Sequence, residues 1–145
     1  MVKGNGKKSF VLLIFSIMIL ILGVYLYKVF YANSAIDMQS TPAEIQISSE
    51  KLISSFMADE DLANSKYVQK TLEVKGIVRE ITFKNDRYTV FLQGGNEFCI
   101  ICDMQADQIE NIRGIEPGQE VFLKGVCKGF LMDAILLNCI LLNKS

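Results

Sequence analysis

The sequence predicts a mainly β (α+β) protein, in which a small five-stranded barrel follows an amphipathic helix and an N-terminal transmembrane helix. Three observations predict this class. A long uncharged run opens the chain, a stretch with apolar residues at helical spacing follows a linker, and the second half alternates apolar and polar residues in short segments between turns. The 145 residues are enough for one domain of ordinary size beside the apolar segment.

Charge is distributed unevenly along the chain. All 16 acidic residues follow Tyr31, whereas four of the 15 basic residues precede it, so the remainder carries 11 − 16 = −5 charges. A net acidic domain disfavours generic nucleic-acid binding, because affinity for polyanions comes mainly from neutralised phosphates. The chain has no histidine, no glycine-rich phosphate loop and no recognisable pair of catalytic carboxylates. We therefore expect a protein that is not an enzyme and has no cofactor or metal.

The N-terminal segment is expected to cross a membrane once. Residues 1–8 form a basic head, and no charged residue occurs from Ser9 to Tyr27, a run of 27 − 9 + 1 = 19 residues. At about 1.5 Å per residue, such a helix spans roughly 28 Å, close to the hydrocarbon thickness of a bilayer. Three lysines before the run against one after it predict a cytoplasmic N-terminus, with residues 9–31 as a signal anchor in the inner (plasma) membrane and the domain outside the cytoplasm. The alternative is a signal peptide cleaved near Asn33-Ser34-Ala35.

Residues 32–47 are polar and mixed, and we expect a tether without fixed structure, although Ile45 and Ile47 could touch the domain. The domain then covers residues 48–145. It begins with a helix that Ser48 or Ser49 can cap and that runs to about Tyr67. The apolar residues at helical spacing are Leu52, Ile53, Phe56, Met57, Ala63 and Tyr67. The acidic cluster of residues 59–61 is interpreted as a solvated helix face.

The stretch from Thr71 to Phe83 is expected to be the long, bent first strand of the barrel. Leu72, Val74 and Val78 share one face of this strand. Gly76 allows a sharp bend, and the apolar phase moves to Ile81 and Phe83 after residues 79–80, which predicts a bulge. A bent strand of this kind can pair with both halves of a closed sheet.

Shorter elements complete the predicted barrel. They are a turn at Lys84–Arg87, a second strand Tyr88–Gln93, a hairpin turn Gly94–Asn96, a third strand Glu97–Asp103, a short helix Gln105–Arg113, a turn Glu116–Gln119, and two further strands Gln119–Lys128 and Ala134–Asn143. Three strands, a helix and two strands are the order of an OB-fold, a partly open Greek-key barrel of five strands.

Several motifs resemble one known family. They are LEVKGIVREI in the first strand, IRGIEPGQEVFLKGVCKG after the short helix, and DAILLNCIL in the last strand. Together they resemble the bacterial tRNA-anti-like family of OB-fold domains, over about Ser48 to Leu142. The resemblance implies a small exported or membrane-anchored protein of unassigned function, and it adds no catalytic residue.

Four cysteines lie in predicted strands. Cys99 and Cys102 have the spacing of a zinc or redox motif, but positions three apart on a strand face opposite sides, which disfavours both roles. Cys127 and Cys139 lie on consecutive strands that should form a hairpin. An exported location permits a disulfide between Cys127 and Cys139, and burial as small apolar side chains is the alternative.

The expected function is that of a membrane-anchored, extracytoplasmic binding module. OB barrels bind ligands across their second and third strands. The candidate ligand-binding residues there are Lys75, Arg79, Lys84, Arg87, Tyr88 and Phe91, with Phe98 nearby. Alternation places Tyr88 and Phe98 on a different phase from Phe91, so they do not all face solvent. The expected ligand is a protein, a peptide or an envelope glycan, and the alternative is single-stranded nucleic acid, which aromatic and cationic side chains also bind.

Overall fold

A computed structural model of the protein describes residues 5–32 and 36–142. The chain divides into two compact units, Met1–Ile36 and Asp37–Ser145. The first unit contains one helix, α1, from Asn5 to Ala32. Within it, Lys8–Val29 is long and apolar enough to cross a membrane, as judged by length and composition.

The second unit contains six strands and three α-helices. In chain order they are β1 (Ile45–Ser48), α2 (Ser49–Ala58), α3 (Glu60–Tyr67), β2 (Thr71–Lys84), β3 (Arg87–Gln93), β4 (Cys99–Met104), a 3₁₀ turn (Ala106–Gln108), α4 (Ile109–Ile112), β5 (Glu120–Leu131) and β6 (Asp133–Leu142). The predicted order of three strands, a short helix and two strands is confirmed for β2–β6, and β1 is an additional strand that was not predicted.

Five of these strands close into a barrel. The sheet order is β1-β2-β3-β4-β6-β5, and β2 also pairs with β5, which closes the ring. β4 and β6 run parallel, because the 3₁₀ turn and α4 carry the chain across before β5 and β6 form their hairpin. The other pairs within the ring are antiparallel. This is the predicted OB-fold architecture.

Strand β2 serves both halves of the barrel. Residues 71–77 pair with β5, and residues 78–84 pair with β3. The register shifts between Val78 and Glu80, so Arg79 is the extra residue of a bulge. The bulge expected from the sequence therefore lies where the strand passes from one partner to the other.

Gly76 is required by close packing rather than by its backbone angles. A Cβ atom there would lie 2.8 Å from Ser49 Oγ, 3.0 Å from Ser49 Cβ and 3.2 Å from Leu92 Cδ1. Ser49 begins α2, is buried, and donates a hydrogen bond from Oγ to the carbonyl of Gln93 at 2.5 Å. The missing side chain at Gly76 thus lets α2 start directly against β2 and the end of β3.

The prediction of a single helix from residue 48 to residue 67 is wrong in one respect, because the helix is broken at Asp59. Asp59 has extended backbone angles, and its side chain accepts a hydrogen bond from the amide of Leu62. Aspartate favours this N-cap position because its carboxylate satisfies an amide that has no partner within the helix. The acidic cluster therefore marks the junction of α2 and α3, and Met57 beside it is exposed rather than inward.

The segment expected to be an unstructured tether is partly ordered on the domain. β1 pairs in parallel with β2, from Ile45 opposite Leu72 to Ser48 opposite Lys75. Upstream of it, Met38 is fully buried against Val126 and Ile140.

A buried lysine holds the same segment in place. Lys124 Nζ donates to the carbonyl oxygens of Thr41 at 2.8 Å and Gln39 at 3.4 Å. The folded domain therefore begins near Asp37, about ten residues earlier than the sequence suggested.

The core lies inside the barrel and under α2. Its main buried residues are Leu52, Ile53, Phe56, Ala63, Tyr67, Leu72, Val74, Val78, Val90, Leu92, Ile100, Cys102, Met104, Ile112, Leu123, Cys127, Leu136 and Cys139. All of them belong to the second unit, which therefore has a hydrophobic core of its own and is expected to fold as residues 37–145 alone.

We expect Gly76→Ala to destabilise the domain. The new methyl group must displace Ser49, which is fixed by its hydrogen bond and by the start of α2, and overpacking of this kind costs about 2 kcal/mol. Urea unfolding of residues 37–145 would measure the loss. Gly114→Ala is the matched control, since a Cβ there meets nothing within 4 Å. A similar loss in both variants would contradict the packing argument.

Candidate functional site

The outer face of β3 and β4 follows directly from strand alternation. On β3, Val90 and Leu92 are fully buried inside the barrel, so Phe91 between them points outward. On β4, Ile100 and Cys102 are fully buried, and Ile101 points outward. Phe91 and Ile101 are both half-buried. This is the face on which OB barrels bind their ligands.

Register places three of these outward apolar side chains in one line across the strands. Phe91 lies opposite Ile101, and Ile101 lies opposite Ile135 on β6. We call Phe91, Ile101 and Ile135 the apolar row. At one end of the row, Glu80 on β2 lies opposite Phe91. At the other end, Gly129 on β5 lies opposite Ile135. A Cβ at Gly129 would meet nothing within 4 Å, so the β6 end of the row is open.

Two of the predicted binding cations already have acidic partners. Arg87 forms an ion pair with Asp103 at 2.7 Å. Lys75 pairs with Glu120 at 3.0 Å, on the β2–β5 side of the barrel. Both pairs are largely exposed, so each contributes little to stability. Their main effect is that neither cation presents an unbalanced charge to a ligand.

The other two predicted cations differ from each other. Arg79 Nη1 donates to the carbonyl of Glu97 at 3.2 Å and contacts Cys99 Sγ at 3.1 Å. Its guanidinium therefore lies against the start of β4 rather than over the apolar row. Lys84 is exposed and has no ion-pair partner within residues 36–142.

The predicted aromatic residues do not form one surface. Tyr88 packs against the core and against Phe83, with ring centroids 4.6 Å apart. Phe98 packs against Phe130, with centroids 6.1 Å apart. Of the three aromatic residues proposed from the sequence, Phe91 is the one on the outer face of the barrel. The structure thus separates residues that the sequence grouped together.

A shallow groove lies beside this face. It has a volume of about 630 Å³ and runs between α2 and the β3–β4 turn, with Ile53, Met57 and Phe98 among its lining residues. A smaller groove of about 200 Å³ adjoins it and is lined partly by Arg79. Glu50 borders both grooves. These lining groups suit apolar contact and do not form a cluster of catalytic side chains.

The cysteines are all free and buried. The Cys127–Cys139 bond that the sequence permits is not formed: bulges in the β5–β6 pairing place Cys127 opposite Leu136 and bring Cys139 against Gly125. Cys139 instead forms a hydrogen bond with Cys102 on the neighbouring strand, β4. Burial raises the pKa of Cys139 well above its ordinary value of 9.0, and the contact with Cys102 raises it further. Burial also raises the pKa of Cys127, so these two thiols are poor nucleophiles at neutral pH.

Within residues 5–32 and 36–142, no three Cys, Asp or Glu side chains come together as a metal site. Ile101 and Ile135 were not among the binding residues predicted from the sequence. Alternation in CIICDM and DAILL was a signal that these residues face outward. Their alignment with Phe91 depends on the register between strands, and no sequence pattern specified that register.

Comparison with known proteins agrees with this architecture. A family model described as tRNA_anti-like matches residues 5–141. The chain belongs to the tRNA_anti-like family. The match covers the apolar helix as well as the barrel of this tRNA_anti-like protein. No curated protein sequence matches it significantly.

Solved structures show the same fold at low sequence identity. The tRNA_anti-like chain is similar to a lipoprotein from Klebsiella pneumoniae subsp. pneumoniae MGH 78578, provisionally named as nucleic acid-binding. The TM-score is 0.59 at 14% identity, over 68% of this chain and 91% of that chain. The S. pombe Stn1–Ten1 complex gives a TM-score of 0.41 at 11% identity, over 51% of this chain and 59% of that chain. OBody AM3L09 bound to hen egg-white lysozyme gives 0.42 at 12% identity, over 55% and 88%. Scores below 0.5 add nothing to the fold assignment.

We expect Ile101 to tolerate a truncation that its neighbour does not. Ile100→Ala removes a fully buried side chain and should cost about 2–5 kcal/mol of unfolding free energy. Ile101→Ala, on the outer face, should cost less than about 1.5 kcal/mol, because that side chain is partly exposed to water and its truncation leaves no enclosed cavity. Urea unfolding of the two variants would test whether the apolar row is a surface feature. Equal losses would place Ile101 in the core and remove it from the candidate site.

Proposed function

We propose that this protein is a membrane-anchored, extracytoplasmic binding module that holds an apolar stretch of another polypeptide on the row of Phe91, Ile101 and Ile135. The observation that supports this proposal most directly is the alignment of these three side chains on the ligand-binding face of an OB barrel. Apolar side chains that are partly exposed and aligned across several strands are typical of protein contacts.

The membrane part of the proposal rests on α1. Its central stretch, Lys8–Val29, has the length and hydropathy of a membrane span. Lys3, Lys7 and Lys8 precede the uncharged run, and Lys28 follows it, which favours an N-terminus in the cytoplasm. The barrel would then lie outside the cytoplasm at the plasma membrane, joined to the span by a short connection.

The charges near the row support a polypeptide ligand over a nucleic acid. Arg87 is paired with Asp103, and Arg79 is turned toward β4. Glu80 and Asp133 add carboxylates at the edges of the same face. A surface on which cations and carboxylates alternate attracts phosphates weakly, because little net positive potential remains.

The aliphatic character of the row also favours a peptide over a glycan. Sugars and bases stack on aromatic rings, and the row offers one such ring, that of Phe91. Ile101 and Ile135 present branched aliphatic surface that suits the side chains of another protein. No catalytic step is proposed.

Single-stranded nucleic acid remains the second candidate. The similar Klebsiella lipoprotein carries a nucleic acid-binding name, and Lys84 and Phe91 could contact a phosphate and a base. Titration of residues 37–145 with a fluorescent single-stranded DNA or RNA oligonucleotide at low salt would test this. We expect a Kd weaker than about 10⁻⁴ M, the weak end of non-specific binding. Tighter, salt-sensitive binding that Lys84→Ala and Phe91→Ala weaken would replace the polypeptide proposal.

Site-specific photocrosslinking would test the polypeptide proposal directly. The full chain, with benzoylphenylalanine in place of Ile101, would be irradiated in native membranes. We expect an adduct that protease removes and nuclease does not. The control carries the same group at Leu62, an exposed apolar residue on α3 remote in sequence from the row. A nuclease-sensitive adduct, or equal adducts at both positions, would contradict the proposal.

A further inference from the structure

The turn between β5 and β6 exposes two large apolar side chains. Leu131 is 81% exposed and Met132 is 78% exposed, more than any other large apolar residue within residues 36–142. They are adjacent and stand at the tip of a tight hairpin, in which Leu131 pairs with Asp133. We call these two residues the hairpin tip.

The backbone at the tip is poorly suited to the residue it carries. Met132 has φ +66°, a left-handed conformation in which glycine and asparagine are favoured. The β2–β3 turn has Asn85 and Asp86 at its positive-φ positions, and the β3–β4 turn has Gly95 and Asn96. Methionine at the corresponding place in the third hairpin costs stability for the turn itself. Its presence therefore points to a contact made by the side chain.

Three lysines lie on β5 and on the segment that packs beside it. Lys128 lies three residues before the tip, and its Nζ donates to Gln69 Oε1 at 3.1 Å. Lys70 lies on the neighbouring backbone, where its carbonyl accepts from the amide of Cys127, and Lys66 lies one helical turn earlier. The carboxylate of Asp133 is the acidic group next to the tip, and it accepts a hydrogen bond from the amide of Cys99 at 2.7 Å.

The connection between α1 and the folded domain is short. Only five residue steps separate the end of α1 at Ala32 from the start of the domain at Asp37, a reach of at most about 18 Å. Met38 packs against Val126 on β5. Leu131 is five residues further along the same strand, about 17 Å away.

We propose that Leu131 and Met132 insert into the interface of the phospholipid bilayer that holds α1, while Lys66, Lys70 and Lys128 face the lipid phosphates. Exposed apolar side chains with lysines nearby are a combination that binds membrane interfaces. The span already holds the domain at high local concentration, so a weak interaction is sufficient. This inference rests on the membrane anchoring in the proposed function, and it would fix the domain's orientation so that the apolar row on β3, β4 and β6 has a constant direction relative to the membrane.

The absence of tryptophan from the sequence makes a direct test possible. Leu131→Trp in the full chain introduces a single tryptophan at the hairpin tip. The protein would be reconstituted in vesicles of phosphatidylcholine and phosphatidylglycerol, with and without brominated acyl chains. We expect blue-shifted emission and quenching by the brominated lipid. The control is Phe83→Trp, at an exposed position beside the β2–β3 turn, and we expect at least about threefold less quenching there.

Two further variants separate insertion from general proximity. Adding Met132→Asp to Leu131→Trp should reduce quenching severalfold, because a carboxylate disfavours the interface. Met132→Gly should raise the urea midpoint of residues 37–145, because it relieves the positive φ, and in the Leu131→Trp background it should weaken quenching.

Flotation of the same vesicles distinguishes two kinds of failure. If the chain does not float with the vesicles, the membrane anchoring of the proposed function is wrong, and this inference falls with it. If the chain floats but Leu131→Trp is quenched no more than Phe83→Trp, the anchoring stands and the hairpin contact is overturned.

Discussion

The rest of the domain depends on one strand, β2, that forms backbone hydrogen bonds with two different strands of the barrel. β2 gives its first half to β5 and its second half to β3, and the bulge at Arg79 lets it turn between them. A closed sheet leaves no unpaired ladder at its edges, but closure requires some strand to bend sharply. Gly76, just before the bulge, leaves the space in which Ser49 fixes the start of α2. Barrel closure and helix placement are therefore decided within four residues.

The outer surface of the barrel follows from this closure. Since β3, β4 and β6 are held in one register, the side chains that alternate away from the core line up across strands. Phe91, Ile101 and Ile135 come together for this reason, although 44 positions (135 − 91) separate the first from the last. The parallel pairing of β4 with β6 is essential here, because it places two outward isoleucines side by side.

Most of the charged side chains around this surface already have partners within the domain. Arg87 and Lys75 contact carboxylates, and Arg79 contacts a carbonyl and a thiol. Lys124, which the sequence does not distinguish from a surface lysine, is buried and holds the N-terminal segment through two carbonyls. The uncharged apolar features that remain, the row on the barrel wall and the tip at Leu131 and Met132, are therefore the surfaces through which we propose that the domain makes its external contacts.

The sequence by itself determined the elements whose signals are local. The apolar run, the alternation and phase slip of β2, the turns with glycine and asparagine, and the order of strands predicted the OB-fold, because each depends on residues close together in the chain. Only the tertiary structure decided what depends on register and long-range packing. The helix is broken at Asp59, β1 is ordered against β2, and the free thiol of Cys139 contacts that of Cys102. The six binding residues predicted from the sequence lie at separate places in the folded domain, whereas Phe91, Ile101 and Ile135 lie in one row. A one-residue shift between strands exchanges inside and outside, and closure of the barrel is what fixes that shift.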